Sequence, residues 1–541
     1  MKKLVLILVL FLVILGSKAN NLTISNVSLT GQNPASDYIM VQFDISWDNS
    51  WRLDYGPSNW DAAWVFIKFK SLSTEWRHAI LSTNPANYTA PAGCTITPSP
   101  DGLGVFIYKS LAGSGNVSYT DIQLRWNYSS NGLPDDVDID IKVLGTEMVY
   151  VPQGAFQAGD NGTAAYCYKQ GSADTDPWNI TSENAINCTS ATTDGNYYTS
   201  SGKVGEQATG STFTIPAAYP KGFNAFYIMK YEMSQEQYRD FLNLLTRTQQ
   251  QSRIATDISG TSITSVFVMA NSSSPSVKNG ICCSSTIPAT GPVTFYCDGD
   301  HDASYNEDDD NQNLPLNYIY YPDLAAYADW AGLRPMTELE YEKACRGTHP
   351  AINGEYVWGN TSLFNSIYSI INYGTATESI SLISFGTGTG NALYQATMYN
   401  GPIRCGIFAY SSPNHTRQET GSTYYGVMEM SGNVLEVAVS SGCNAGYTFT
   451  GLNGDGSLNS SGDANTDFWP GMGGNNLNAN ASTAYGGTIG VTGKAGMGDR
   501  GGAYGTNYAF LQVSDRTYNC SLNLSSSRAP GIGCRLVRTM P

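Results

Sequence analysis

Apolar and polar side chains alternate in short bursts through the first quarter of the chain. Tyr38–Trp47 alternates as a half-buried strand should, and Ala63–Phe69, Gly104–Tyr108, Ile122–Trp126 and Val137–Val143 follow suit. Turn-rich stretches, Asn84–Ala92 and Ser129–Pro134, separate them. Short strands at this spacing predict an antiparallel, Ig-like β-sandwich over residues 20–146. Trp47, Trp51, Trp60, Trp64, Trp76 and Trp126 concentrate there. They read as the core of a small sandwich, with a carbohydrate platform as the competing reading. From Glu147 the pattern changes. Phe226–Asn243 is a strand running into a helix, where Ser234 and Gln237 make a capping box and Tyr238, Phe241 and Leu242 share one face. Pro322–Gly332 predicts a helix with Leu324, Tyr327, Ala328 and Ala331 inward, and Thr337 with Glu340 caps the next one.

Composition narrows the class. Of 541 residues 41% are apolar and 14% charged, which excludes a disordered chain. A net charge of −16 excludes the basic stripe that a nucleic-acid partner requires. Residues 1–19 read as a secretory signal: Lys2 and Lys3, the apolar run Leu4–Leu15, then Ser17-Lys18-Ala19. That run is shorter than the roughly 18 residues a membrane span needs, and no other stretch is apolar enough. The expectation is a secreted or cell-surface protein with no transmembrane segment in the mature chain. In that compartment Cys167 with Cys188, and Cys282 or Cys283 with Cys297, could each clip a loop. Four scattered histidines and no CxxC argue against a zinc site.

The chemistry concentrates in Gly426-Val427-Met428-Glu429-Met430-Ser431-Gly432-Asn433-Val434-Leu435-Glu436-Val437. Two carboxylates flank a Ser-Gly-Asn turn, and carboxylates with turn carbonyls can nest a hard cation such as calcium. The competing reading is a tight turn without any metal. Asp298-Gly299-Asp300-His301-Asp302 with Asp309 follows the 1, 3, 5 and 12 spacing of a calcium loop, but Ala303 stands where such loops use glycine. A solvated acidic loop is the competing reading there.

Several segments in order resemble the formylglycine-generating-enzyme, or sulfatase-modifying-factor, family: Phe226–Asn243, Arg334–Gly347, Val357-Trp358-Gly359-Asn360, Gly426–Val437, Arg500-Gly501-Gly502-Ala503-Tyr504 and Gly531–Arg538. The resemblance covers residues 147–541 and implies an α+β variant of the C-type lectin fold. Insertions at 160–214, 246–313, 375–399 and 440–499 are rich in Gly, Ser and Asn and read as surface loops. The resemblance implies calcium ligands at the Glu429 side chain, the Gly432 and Val434 carbonyls and the Glu436 carboxylate. Oxidase members bind copper through two cysteines shortly after the Gly-Gly turn, as a soft metal requires. No cysteine stands in Gly505–Phe510, so neither copper nor oxidase activity is expected.

The implied ligand face is Tyr504–Ser527, where Asn507, Tyr508, Phe510, Tyr518, Asn519 and Asn523 have the character of adaptable binding surfaces. Gly501, Gly502, Arg516, Gly533 and Arg535 read as framework. Some exported members of the fold are variable proteins of diversity-generating retroelements, whose adenine mutagenesis yields no Lys, Glu, Gln, Met or Trp. None occurs in 505–510 or 517–525, which an ordinary variable loop would match equally. The reading is an exported, non-catalytic binding protein for a cell-surface protein or glycan. The alternatives are a family enzyme with altered chemistry and a structural component of the cell surface or secretion apparatus.

Overall fold

The computed structural model describes residues 21–71, 75–162, 167–170, 176–188, 196–198, 212–396, 399–474, 489–519 and 528–540. The expected signal segment 1–19, Asn523 and Cys520 lie outside them. The described chain is mostly β with a few short helices.

Strands β1 (Thr23–Asn33), β2 (Tyr38–Arg52), β3 (Asp61–Lys70), β4 (Arg77–His78), β5 (Cys94–Pro98), β6 (Val105–Lys109), β7 (Gly113–Trp126) and β8 (Asp140–Val151) build the first part. β1, β2 and β7 form one antiparallel sheet. β3, with β4 paired to one end, sits between β6 and β8 in a second, eight-stranded sheet. Nearly every residue of β3 is buried, and its period of two explains how. Ala63, Val65, Ile67 and Phe69 face the first sheet, against Phe43, Ile45, Leu124 and Trp126. Ala62, Trp64 and Phe66 point the other way, into the main core with Phe106, Met148 and Tyr227.

The second sheet continues past the first part. The later half of β8 pairs on its free side with Phe226–Met229, then Leu536–Thr539, then Arg334–Pro335. The boundary expected between 146 and 147 therefore falls inside a strand that serves both parts. Two buried lysines fasten this seam. Lys230 Nζ lies 3.2 Å from Asp61 and 2.9 Å from Glu147. Lys68 Nζ donates to the carbonyls of Trp330 and Gly456 at 2.7 and 2.8 Å. Burial costs an ammonium several kcal/mol unless it is so compensated.

Helices α1 (Gln235–Leu242), α2 (Arg247–Arg253), α3 (Tyr321–Trp330) and α4 (Glu338–Arg346) follow the sheet. The capping boxes of Ser234–Gln237 and Thr337–Glu340 are both formed. The insertions are not merely surface loops. Region 246–313 carries α2 and the hairpin of Ile281–Cys283 with Phe295–Cys297, and it buries Val268, Ile281 and Phe295 in the main core. Phe449 and Trp469 of the last insertion join the same core. Their Gly/Ser/Asn background hid sparse apolar anchors, too widely spaced to register as a period.

The thiols of Cys188, Cys282, Cys283 and Cys297 are free, so neither expected clip is closed. These thiols are buried and pack as small apolar groups. Among the described residues no helix is long and apolar enough to cross a membrane.

Candidate functional site

The turn around Gly432 is set by backbone that few residues tolerate. Gly432 has φ +92°, and a Cβ there would stand 2.5 Å from Leu393 O. Asn433 follows at φ +65°. Its side chain locks the turn by accepting from Ile403 N at 2.9 Å and donating to Ile403 O at 3.1 Å. It also donates to Glu232 Oε2 at 2.6 Å, while Val434 N donates to Glu232 Oε1 at 3.1 Å.

Three buried carboxylates, each at most 3% exposed, lie near enough around this turn to repel one another: Glu232, Glu429 and Glu436. Glu429 Oε1 accepts from Gly406 N at 3.0 Å. Glu436 Oε1 takes Arg535 Nε at 2.9 Å and Nη2 at 2.8 Å, and Arg535 also ties down the carbonyls of Met229 and Met428. Glu429 Oε2 and Glu436 Oε2 are buried with no hydrogen-bond partner. Burial pushes the Glu429 carboxyl up to about 7. Burial, followed by repulsion from Glu436, holds Glu232 well above the ordinary carboxylate range. Arg535 and Arg404 offset part of this negative charge, and the two orphaned carboxylate oxygens are of the donor type a hard cation takes. Glu232 escaped sequence reasoning, because it reaches this centre from 201 residues away along the chain.

The expected ligand face divides. Asn507 and Tyr508 are exposed, Tyr508 at 50%. Asn507 also caps a short 3₁₀ turn, its side chain accepting from Ala509 N at 3.0 Å. Phe510 and Tyr518 are half-buried and stack on each other with centroids 4.8 Å apart. Asn519 is 1% exposed, which corrects the expectation that it belongs to the surface. Its backbone closes a turn onto Arg516 O at 2.9 Å.

Arg516 explains why this segment is anchored. Its guanidinium grips Glu338 at 2.8 and 3.0 Å, beside Arg500, which pairs with Glu342 at 2.7 Å. These groups are all buried, and their planar forks suit such a frame.

A cleft of about 900 Å³ opens where Gly426 and Met428 meet the first part of the chain. Trp51, Tyr231, Tyr410, Arg417 and Tyr424 line it. Lys230 lies under one wall, 4.9 Å from the Trp51 ring centroid. Aromatic faces beside hydrogen-bonding groups suit sugar rings or extended peptides.

Residues 139–540 match the family described as "Sulfatase-modifying factor enzyme 1-like domain". No curated protein matches the chain. Among solved structures, the group B streptococcus pilus 2b backbone protein aligns at 13% identity over 38% of this chain and 83% of that chain. The TM-score is 0.11, too low to indicate a shared fold.

Proposed function

The chain belongs to the sulfatase-modifying-factor family, and from that premise we propose that it is an exported recognition protein without oxidase activity. One observation carries the reading. After Gly501-Gly502, where oxidase members place their copper thiols, residues 503–519 contain no cysteine and set Asn507 and Tyr508 at the surface over a buried arginine frame. Soft thiolates are what copper(I) requires, so copper is not expected to bind. The first part serves as an Ig-like attachment module, and the family part presents its ligand face in the manner of a C-type lectin. The ligand is a cell-surface protein or a glycan.

Calcium would be held by the Glu429 and Glu436 carboxylates with the Gly432 and Val434 carbonyls. Its role there is structural, offsetting buried negative charge, and the orphaned oxygens of Glu429 and Glu436 support it. The composition of 505–510 and 517–525 also suits retroelement diversification. An adenine-rich near-repeat beside the coding region tests that directly.

The functional test is binding of the mature chain to a surface extract and to a glycan array, alongside a sulfatase-type peptide assay with copper. Binding that is lost on Tyr508→Ala with unchanged thermal unfolding supports the tail face. Loss on Tyr410→Ala alone moves the seat to the aromatic cleft. Formylglycine formation in the peptide overturns the non-catalytic reading.

A further inference from the structure

We propose that the loop from Asp298 to Asp309 is a calcium site separate from the one around Glu429, with Asp298, Asp300 and Asp302 as its carboxylate ligands. One carboxylate oxygen from each of these residues lies within 4.8 Å of the others. An acidic cluster in solvent needs no ion, but this one is only partly in solvent. Asp300 and Asp302 are exposed, whereas Asp298 is 4% exposed and its Oδ1 has no hydrogen-bond partner. The backbone N–H groups of Ala303 and His301 reach the Asp298 carboxylate and the His301 ring lies near it, yet Oδ1 is left without a partner. A buried, unpartnered carboxylate oxygen facing two further carboxylates is costly unless a cation joins them.

The residue types suit calcium. The ligands are all oxygen and follow the 1, 3, 5 spacing of a calcium loop; Asp309 stands at position twelve in the sequence, outside the group of three that converge. The objection from Ala303 is answered by the backbone, which already holds it at φ +69°, the left-handed turn for which such loops use glycine. The loop is built into its surroundings. Asp310 accepts from Gly299 N at 2.8 Å and Glu307 N at 2.7 Å. Asn306 Oδ1 accepts from Cys297 N at 3.0 Å and from Arg239 of α1 at 2.8 Å. An ion here would fasten the 246–313 insertion to the first helix of the family domain.

Tyr305 lies within the loop, stacked on Tyr296 at 4.5 Å, and offers a local probe. Terbium bound in the loop of the mature chain should show tyrosine-sensitised emission that calcium displaces. The double variant Asp300→Asn/Asp302→Asn alters two exposed side chains and leaves the buried Asp298 in place, so the fold is kept. It should lose the emission and lower the calcium stoichiometry by one, its affinity falling roughly tenfold or more as ligand charge is removed. Glu436→Gln should leave the emission intact, which separates this site from the one around Glu429. Emission and stoichiometry equal in wild type and double variant, or no calcium-displaceable emission from wild type, would overturn the proposal.

Discussion

Glu429 occupies two unfavourable positions at once. Its backbone is left-handed, φ +54°, and its carboxyl is buried with one oxygen unsatisfied. Burial raises that carboxyl from 4.5 to about 7. Between those values the folded state keeps a proton that the unfolded chain has released, so stability falls as pH rises through the window. In calcium-free buffer the wild type should lose about 2–3 kcal/mol more than Glu429→Gln between pH ~4.5 and ~7. Denaturant midpoints at the two pH values measure this, and parallel profiles for the two proteins would count against it. Calcium should flatten the wild-type profile, because it binds the deprotonated carboxylate. In the tail, Tyr508→Ala should change stability by no more than about 0.5 kcal/mol, while Asn519→Ala should cost about 1–3 kcal/mol. Equal tolerance at the two positions in a thermal-unfolding scan would contradict the division of this segment into surface and frame.

At the level of elements, β3 is the piece on which both cores depend. Trp64 fills one face of it, and its indole Nε1 donates to Ala331 O at 2.9 Å. Trp64→Ala should cost about 3–5 kcal/mol through the cavity left behind, with the carbonyl losing its donor as well. The contact of Ile532–Gly533 with Leu435–Val439 is as tight. A Cβ on Gly533 would lie 2.3 Å from Val434 Cγ2 and 2.9 Å from Leu316 O. Gly533→Ala should therefore cost about 1–3 kcal/mol by overpacking, and it should perturb calcium binding because it presses on the Val434 segment. A Gly533→Ala protein with wild-type unfolding midpoint and calcium affinity would refute that coupling.

The whole molecule is joined by a shared sheet, and its parts are not expected to separate cleanly. A fragment of 147–541 would cut β8 and expose Met148, Tyr227 and the wall that Trp64 covers. It should be aggregation-prone, whereas 20–541 folds; circular dichroism and gel filtration of the two distinguish the outcomes. Calcium is expected to raise the unfolding midpoint of the complete mature chain. A hundredfold excess over Kd adds about 2.7 kcal/mol at a single site. Equal midpoints with calcium and with chelator, in wild type and Glu436→Ala alike, would remove the ion from the stability of this domain.

The sequence by itself determined the local features: the alternating strands of the first part, the capping boxes of Ser234 and Thr337, and the ordered segments that mark the family. Each depends on residues within a few positions of one another, where period and hydrogen-bond reach are legible. It also exposed the missing thiols after Gly501-Gly502, because an absence of cysteine needs no fold to be seen. Tertiary structure alone decided what depends on distant contacts. Glu232 joins Glu429 and Glu436 because the strand Phe226–Met229 lies between β8 and the C-terminal strand. Asn519 is buried in a turn that closes onto Arg516, whose guanidinium is held by Glu338, 178 residues away. The Gly/Ser/Asn-rich insertions pack because single apolar residues find the core in three dimensions, where composition could see only loops.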